Sequence, residues 1–185
     1  MTNLPEPDRE RFDPRFVAPE GRAHRPRLYL VGEAPGEAEA EAGRPFVGPA
    51  GQTLRKMMGA AGIDPAQVRL FNAIPYRPIA SGKAGAPHNR APTRAEIERF
   101  SACLLDDIAR RQPGAILALG KSAMAAFGIR APIERARERA FRHAGIPLLV
   151  TYHPQYVTYR GGEGGAIWRV AVGDLARAWR AGLKG

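Results

Sequence analysis

Residues 27–51 read RLYLVGEAPGEAEAEAGRPFVGPAG, and the opening RLYLV decides the fold. After its arginine this run lacks the polar alternation of a strand with one face in water, so it predicts a short strand covered on both faces. Three runs of the same kind follow: VRLF at 68–71, AILAL at 115–119 and PLLVT at 147–151. Helical patterns separate them. Thr93 and Glu96 form a capping-box signature ahead of Ile97, Phe100, Leu104, Leu105 and Ile108, which recur at helical spacing, and residues 167–183 are similarly amphipathic around Trp168, Val172, Leu175 and Trp179. Strands alternating with helices predict an α/β fold, a three-layer α/β/α sandwich around a central, mostly parallel, four-stranded sheet. Residues 27–185 read as a single domain, and the charged, proline-rich residues 1–26 as an arm or surface wrap. The segment 79–92, IASGKAGAPHNRAP, reads as a long exposed loop.

In open parallel sheets ligands bind beyond the carboxyl ends of the strands. The first run leads into Gly32-Glu33, the second into Asn72, the third into Gly120-Lys121-Ser122 and the fourth into Tyr152-His153-Pro154. Glu33, Asn72 and His153 are therefore expected to converge on one cleft from three strands. Gly120-Lys121-Ser122 resembles the end of a phosphate-binding loop, but that motif requires glycine at position 115, where this chain has Ala115 inside a strand. Nucleotide hydrolysis is set aside on that ground.

Composition narrows the partners. The 185 residues carry 28 Lys+Arg against 18 Asp+Glu, a formal charge of +10, which favours a polyanion because basic side chains neutralise phosphates and release counterions. No apolar run approaches the length of a membrane span, and the start, MTNLPEPDRERFDP, is polar; the expectation is a cytoplasmic monomer with no membrane role. Cys103 is the only cysteine, and His24, His88, His143 and His153 show no metal-ligand spacing, so neither metal nor cofactor is expected. In this basic chain the four glutamates of the glycine-bounded loop, Glu33, Glu37, Glu39 and Glu41, ask for an explanation.

GEAPGEAEAEAGRPFVGPAG resembles the first motif of the thermostable bacterial and archaeal uracil-DNA glycosylases known as family 4. FNAIPYRP is similar to that family's segment after the second strand, PGAILALGKSA to its third-strand segment and TYHPQYV to its His-Pro motif, together spanning most of residues 27–160 in the family's order. The resemblance implies uracil-containing DNA as partner and excision of a base flipped out of the duplex. It implies Phe46 as a stacking platform and Asn72 as the reader of uracil N3–H and O4. His153 would stabilise charge at uracil O2, and Glu33 would orient water and favour the oxocarbenium ion. Glu39 would line the pocket near uracil C5 and exclude thymine's methyl, Gly32 and Gly36 would allow close backbone approach, and the backbone near Ala34 would donate to O2. Glu37 and Glu41 have no counterpart and read as solvated.

Two departures stand out. Family 4 enzymes hold an iron–sulfur cluster on four cysteines; here the N-terminal segment has none, Tyr76 stands before Arg77-Pro78 where a cysteine is expected, and Cys103 alone remains. The sequence thus predicts a cluster-free relative. His88 sits near the point where one branch of the superfamily has a histidine that attaches to the abasic sugar, but its neighbours lack that branch's arginine-rich signature, which leaves an exposed loop histidine. Lys83, His88, Arg90, Lys121 and Ser122 are candidate DNA contacts, as are Gln155, Tyr156 and Arg160 after the His-Pro turn, where Val157 and Tyr159 are further candidates for an apolar wedge. The rival readings are a glycosylase for hypoxanthine or xanthine, and a non-catalytic binder of damaged DNA or abasic sites.

Overall fold

The computed structural model describes residues 4–81 and 87–183. Along the chain run β1 (Glu20–Gly21), β2 (Leu28–Gly32), α1 (Glu37–Ala42), α2 (Pro49–Ala60), β3 (Val68–Asn72), β4 (Ile79–Ser81), β5 (Pro87–Asn89), α3 (Arg94–Arg111), β6 (Ala115–Leu119), α4 (Lys121–Ala126), α5 (Ile133–Ala136), β7 (Phe141–His143), β8 (Ile146–Thr151), α6 (Pro154–Tyr159) and α7 (Ala166–Ala181). The four expected strands are β2, β3, β6 and β8, all parallel and in the spatial order β3-β2-β6-β8. Short antiparallel strands β1 and β7 extend this centre to six strands among the described residues. Neither is announced by an apolar run, because edge pairing of backbone groups needs no side-chain pattern.

Chain order explains where a ligand can enter. From β2 the chain moves outward to β3, then crosses back past β2 to β6 and on to β8. Right-handed crossovers accordingly put helices on both faces, with α3 packed on α4 and α2 packed on α7. The reversal makes the gap between the carboxyl ends of β2 and β6 a topological switch point. The strands themselves are covered: Leu28, Tyr29, Leu30 and Val31 are fully buried, as are all five residues of β6. Tyr29 donates its hydroxyl to Asp107 of α3 at 2.7 Å, and Arg69 of β3 makes hydrogen bonds of 2.7 and 3.2 Å to the same carboxylate, which ties α3 to the sheet.

The N-terminal residues do more than lie on the surface. Phe12 and Val17 are buried, Phe12 meets the Phe100 ring edge-on at 5.2 Å, and β1 pairs with β3. The loop expected over 79–92 is corrected in part: β4 and β5 pair as a hairpin, with Ala80 opposite His88. Lys83 lies outside the described residues. Arg90 explains the hairpin's seating. Its guanidinium donates to the carbonyls of Ile79 (2.9 Å), Ala91 (3.2 Å) and Arg11 (3.1 Å) and to both carboxylate oxygens of Glu96 (2.8 and 2.7 Å). A guanidinium engaged this fully has no donor left for phosphate, so Arg90 is withdrawn from the DNA contacts.

Glu96 is the hub of that seat. It receives Arg11 and Arg90, and it closes the capping box by accepting from the Thr93 N–H at 2.7 Å. Burial alone would raise its carboxyl, yet Arg90, the Thr93 backbone and Arg11 together hold it at about 2. Because the folded value lies below the ordinary 4.5, the unfolded chain binds the proton more readily, and the stability Glu96 contributes above pH 4.5 is lost as pH falls towards 2. Thermal denaturation from pH 2 to 7 should show Glu96→Gln roughly 2 kcal/mol less stable at neutral pH, with a flatter acid decline than the parent. An equally steep decline in the variant would remove Glu96 as its source.

Candidate active site

β2, β3 and β8 deliver Glu33, Asn72 and His153 to the same edge of the sheet, where all three line a cleft of about 630 Å³ together with Ala34, Glu39 and Phe46. The convergence expected from the strand ends is thus present in the geometry. Behind two of these lining groups lies the buried Gly32, whose register partner in β3 is Asn72. A Cβ added there would lie 2.3 Å from Asn72 Oδ1 and 2.6 Å from Phe46 Cζ, so the amide and the ring tip meet over a residue with no side chain. Asn72 is 4% and Phe46 6% exposed, which leaves the cleft as their way to a ligand.

Phe46 is held at φ +57°, a left-handed conformation that costs a non-glycine residue about 1–2 kcal/mol. Two neighbours hold it there. Arg55 donates to its carbonyl at 3.0 Å, and the carbonyl sits in the space a side chain at Gly51 would occupy, 1.7 Å from an added Cβ. Strain sustained by surrounding structure is common where a side chain must be presented in one orientation.

His153 caps α6, its Nδ1 accepting from the Gln155 N–H at 3.3 Å. Burial lowers the imidazole's pKa below its ordinary value, with Glu33 opposing the shift. With Nδ1 an acceptor, the proton of the neutral ring is on Nε2, the nitrogen available as a donor. Glu33 accepts a hydrogen bond from the Ser122 hydroxyl at 2.5 Å. That contact commits the one proton of the Ser122 hydroxyl to a carboxylate rather than to phosphate.

The remaining glutamates separate by partner. Glu39 accepts from the Gly36 N–H at 3.1 Å and the Gly48 N–H at 2.7 Å, one with each oxygen. It lines the cleft as expected, and with both oxygens engaged it also braces the two ends of the loop. Residues 37–42 are helical rather than loop. Glu37 is exposed, in keeping with the solvated reading, and from there reaches the buried Arg77 at 3.4 Å. Arg77 also donates to Asn89 Oδ1 at 2.6 Å, fixing a side chain at the cleft wall that the sequence reading missed. No local pattern marks Asn89; only the hairpin carries it there.

Of the other candidates, Gln155 and Tyr159 line the cleft. Lys121, Gln155 and Arg160 are exposed, and so is His88 on β5. Tyr156 stacks on Tyr152 with centroids 5.4 Å apart and is 40% exposed, with the Arg160 guanidinium 5.7 Å from its ring. Val157 is completely buried and drops out as a wedge, because α6 turns it inward. Tyr159, at the cleft mouth, is 85% exposed.

An iron–sulfur cluster does not fit these residues. It needs several thiolates; the sequence has one cysteine, and burial pushes the Cys103 thiol up, away from the thiolate. One turn before it on α3, Phe100 packs edge-on against Phe12 at 5.2 Å and Tyr76 at 5.6 Å, and Tyr76 against Phe16 at 5.8 Å. Aromatic packing occupies the place that the resemblance gave to a cluster. No group of three or more metal-ligating side chains occurs among the described residues.

A ligand cleft at the switch point of an open, three-layer α/β sheet, walled by an aromatic ring, an amide, a carboxylate and an imidazole, marks an α/β enzyme that takes up a planar polar group. Comparison with known proteins makes this particular. The family described as the Uracil DNA glycosylase superfamily matches residues 18–176, and the chain belongs to it. It is 36% identical over 165 residues to a Type-4 uracil-DNA glycosylase of Pyrobaculum aerophilum, covering 84% of this chain and 78% of the relative. To the Type-4 uracil-DNA glycosylase of Thermotoga maritima it is 32% identical over 155 residues, covering 82% and 76%. The crystal structure of wild-type Pedobacter heparinus SMUG2 has the same fold, with a TM-score of 0.57 at 13% identity over 85% of this chain and 76% of that one.

Proposed function

We propose that this protein is a monofunctional uracil-DNA glycosylase of base excision repair, which flips uracil out of DNA and hydrolyses its N-glycosidic bond to leave an abasic site. The observation that carries the reading is the meeting of the Phe46 ring and the Asn72 amide over Gly32, in a cleft also lined by Glu33 and His153. A flipped base recovers its lost stacking on Phe46. The Asn72 amide offers an acceptor to uracil N3–H and a donor to O4; cytosine presents the opposite pattern and is refused. As the glycosidic bond breaks, its electron pair moves onto uracil, and the Nε2–H of His153 and the backbone N–H near Ala34 stabilise charge at O2. Glu33 favours the oxocarbenium ion and orients the water whose oxygen bonds to C1′, its released proton passing by way of the carboxylate to solvent.

In this reading DNA is bound by the exposed Lys121, Gln155, Tyr156 and Arg160, which offer donors and stacking surface, and the exposed Tyr159 fills the gap left by the flipped base. No helix among the described residues is long and apolar enough to cross a membrane. A lone cysteine suits a reducing compartment, and the reading is of a monomer acting in the cytoplasm. The test is base release from duplexes containing uracil, hypoxanthine, xanthine or thymine. Uracil alone should be released. Release of a purine but not uracil would reassign the substrate, and abasic-site binding with no release of any base would make the protein a binding module.

A further inference from the structure

We propose that Ser122 is a positioning residue for the reaction, holding the Glu33 carboxylate in the one orientation in which it can serve the reacting sugar. The inference rests on the glycosylase reading of the cleft and assigns a role to a residue outside the base-binding set. Its ground is topological as well as local. β6 lies between β2 and β8, so the start of α4 that follows it, with Gly120 as its cap and Lys121 and Ser122 in its first turn, sits between the two strand ends that carry Glu33 and His153. Backbone bonding holds the cap on the His153 side: the Gly120 N–H donates to the Thr151 carbonyl at 2.9 Å, two residues before His153. On the other side the Ser122 hydroxyl donates to Glu33 Oε2 at 2.5 Å, across 89 positions of sequence.

That bond has a directional consequence. A glutamate carboxylate, at the end of three rotatable bonds, samples several orientations, and a hydroxyl donated to one of its oxygens selects among them. Oε2 is taken by Ser122, while among the described residues no side chain or backbone group donates to Oε1, which is left for water or the sugar. A hydroxyl used this way is spent as a donor, so Ser122 contributes to the chemical step and not to phosphate binding. Lys121, next to it, is exposed and keeps its reading as a phosphate contact.

The experiment is steady-state uracil release by Ser122→Ala, Ser122→Thr, Glu33→Gln and the Glu33→Gln/Ser122→Ala double variant, with thermal midpoints measured alongside. Ser122→Ala should lower kcat about tenfold with KM within twofold of the parent and the thermal midpoint little changed. Ser122→Thr, which keeps the hydroxyl, should recover most of the rate. In the Glu33→Gln background the Ser122→Ala change should cost almost nothing further, because the carboxylate it orients is gone. The proposal is overturned by an unchanged kcat in Ser122→Ala, by a loss of the same size in both backgrounds, or by a rise in KM at constant kcat, which would restore Ser122 as a DNA contact. A parent protein that releases no uracil overturns the glycosylase reading itself, a result distinct from any of these.

Discussion

Asn72→Asp should lower uracil release by roughly two orders of magnitude or more, while leaving the fold and the affinity for DNA nearly unchanged. The amide sits at the carboxyl end of β3, buried, its Oδ1 close over Gly32. Replacing the NH₂ by a carboxylate oxygen removes the donor to uracil O4 and sets two acceptors against each other in a closed cleft. Losing one pocket donor in the transition state costs about 3 kcal/mol, which converts to the stated factor. The variant's acceptor suits the N4 amine of cytosine, so weak cytosine release is the expected gain. Single-turnover assays on duplexes with uracil or cytosine, together with binding to an abasic-site duplex, make the check. Uracil excision at the parental rate would reduce Asn72 to a buried turn residue.

Gly32→Ala should be as damaging by a different route. The added methyl would have to displace either the Asn72 oxygen, 2.3 Å away, or the tip of the Phe46 ring, at 2.6 Å. Phe46 has little freedom to yield, since its backbone is fixed in the left-handed region by Arg55 and by the close passage of Gly51. Asn72 therefore moves, or the ring tilts into the space the base would fill; either change removes one of the two groups that define the pocket. Uracil release should fall about 100-fold or more, and overpacking in the buried strand should cost about 1–3 kcal/mol of stability. Circular dichroism and thermal melting separate the two effects. A variant that excises uracil normally would place the base somewhere other than over Gly32.

The two variants probe one cleft from its edge-reading and its stacking side, and the closeness of Gly32 to both groups explains why they should not be additive. In the double variant the amide is already altered, and the methyl has less left to disrupt. A double-mutant cycle that returned the simple sum would mean that the ring and the amide act on separate parts of the ligand.

What the sequence determined by itself was local and periodic. Four apolar runs specified the parallel centre of the sheet because a strand buried on both faces leaves no room for polar alternation, and each was legible to within a residue or two at its ends. Thr93 and Glu96 marked the start of α3 because a cap is a bond between neighbours in sequence. The strand-end rule places Glu33, Asn72 and His153 at one edge from the sequence alone. Contacts between distant residues were decided only in three dimensions. Edge strands β1 and β7 depend on backbone pairing alone, and Arg90 looked free for phosphate until the Glu96 hub engaged it. Glu39 became a brace because Gly36 and Gly48 are brought within reach of one carboxylate, and Ser122 met Glu33 because β6 is laid beside β2 at the switch point. A sequence pattern reports which face of an element is buried; which polar group a side chain finds there depends on how separate elements are stacked, and that is settled by tertiary packing.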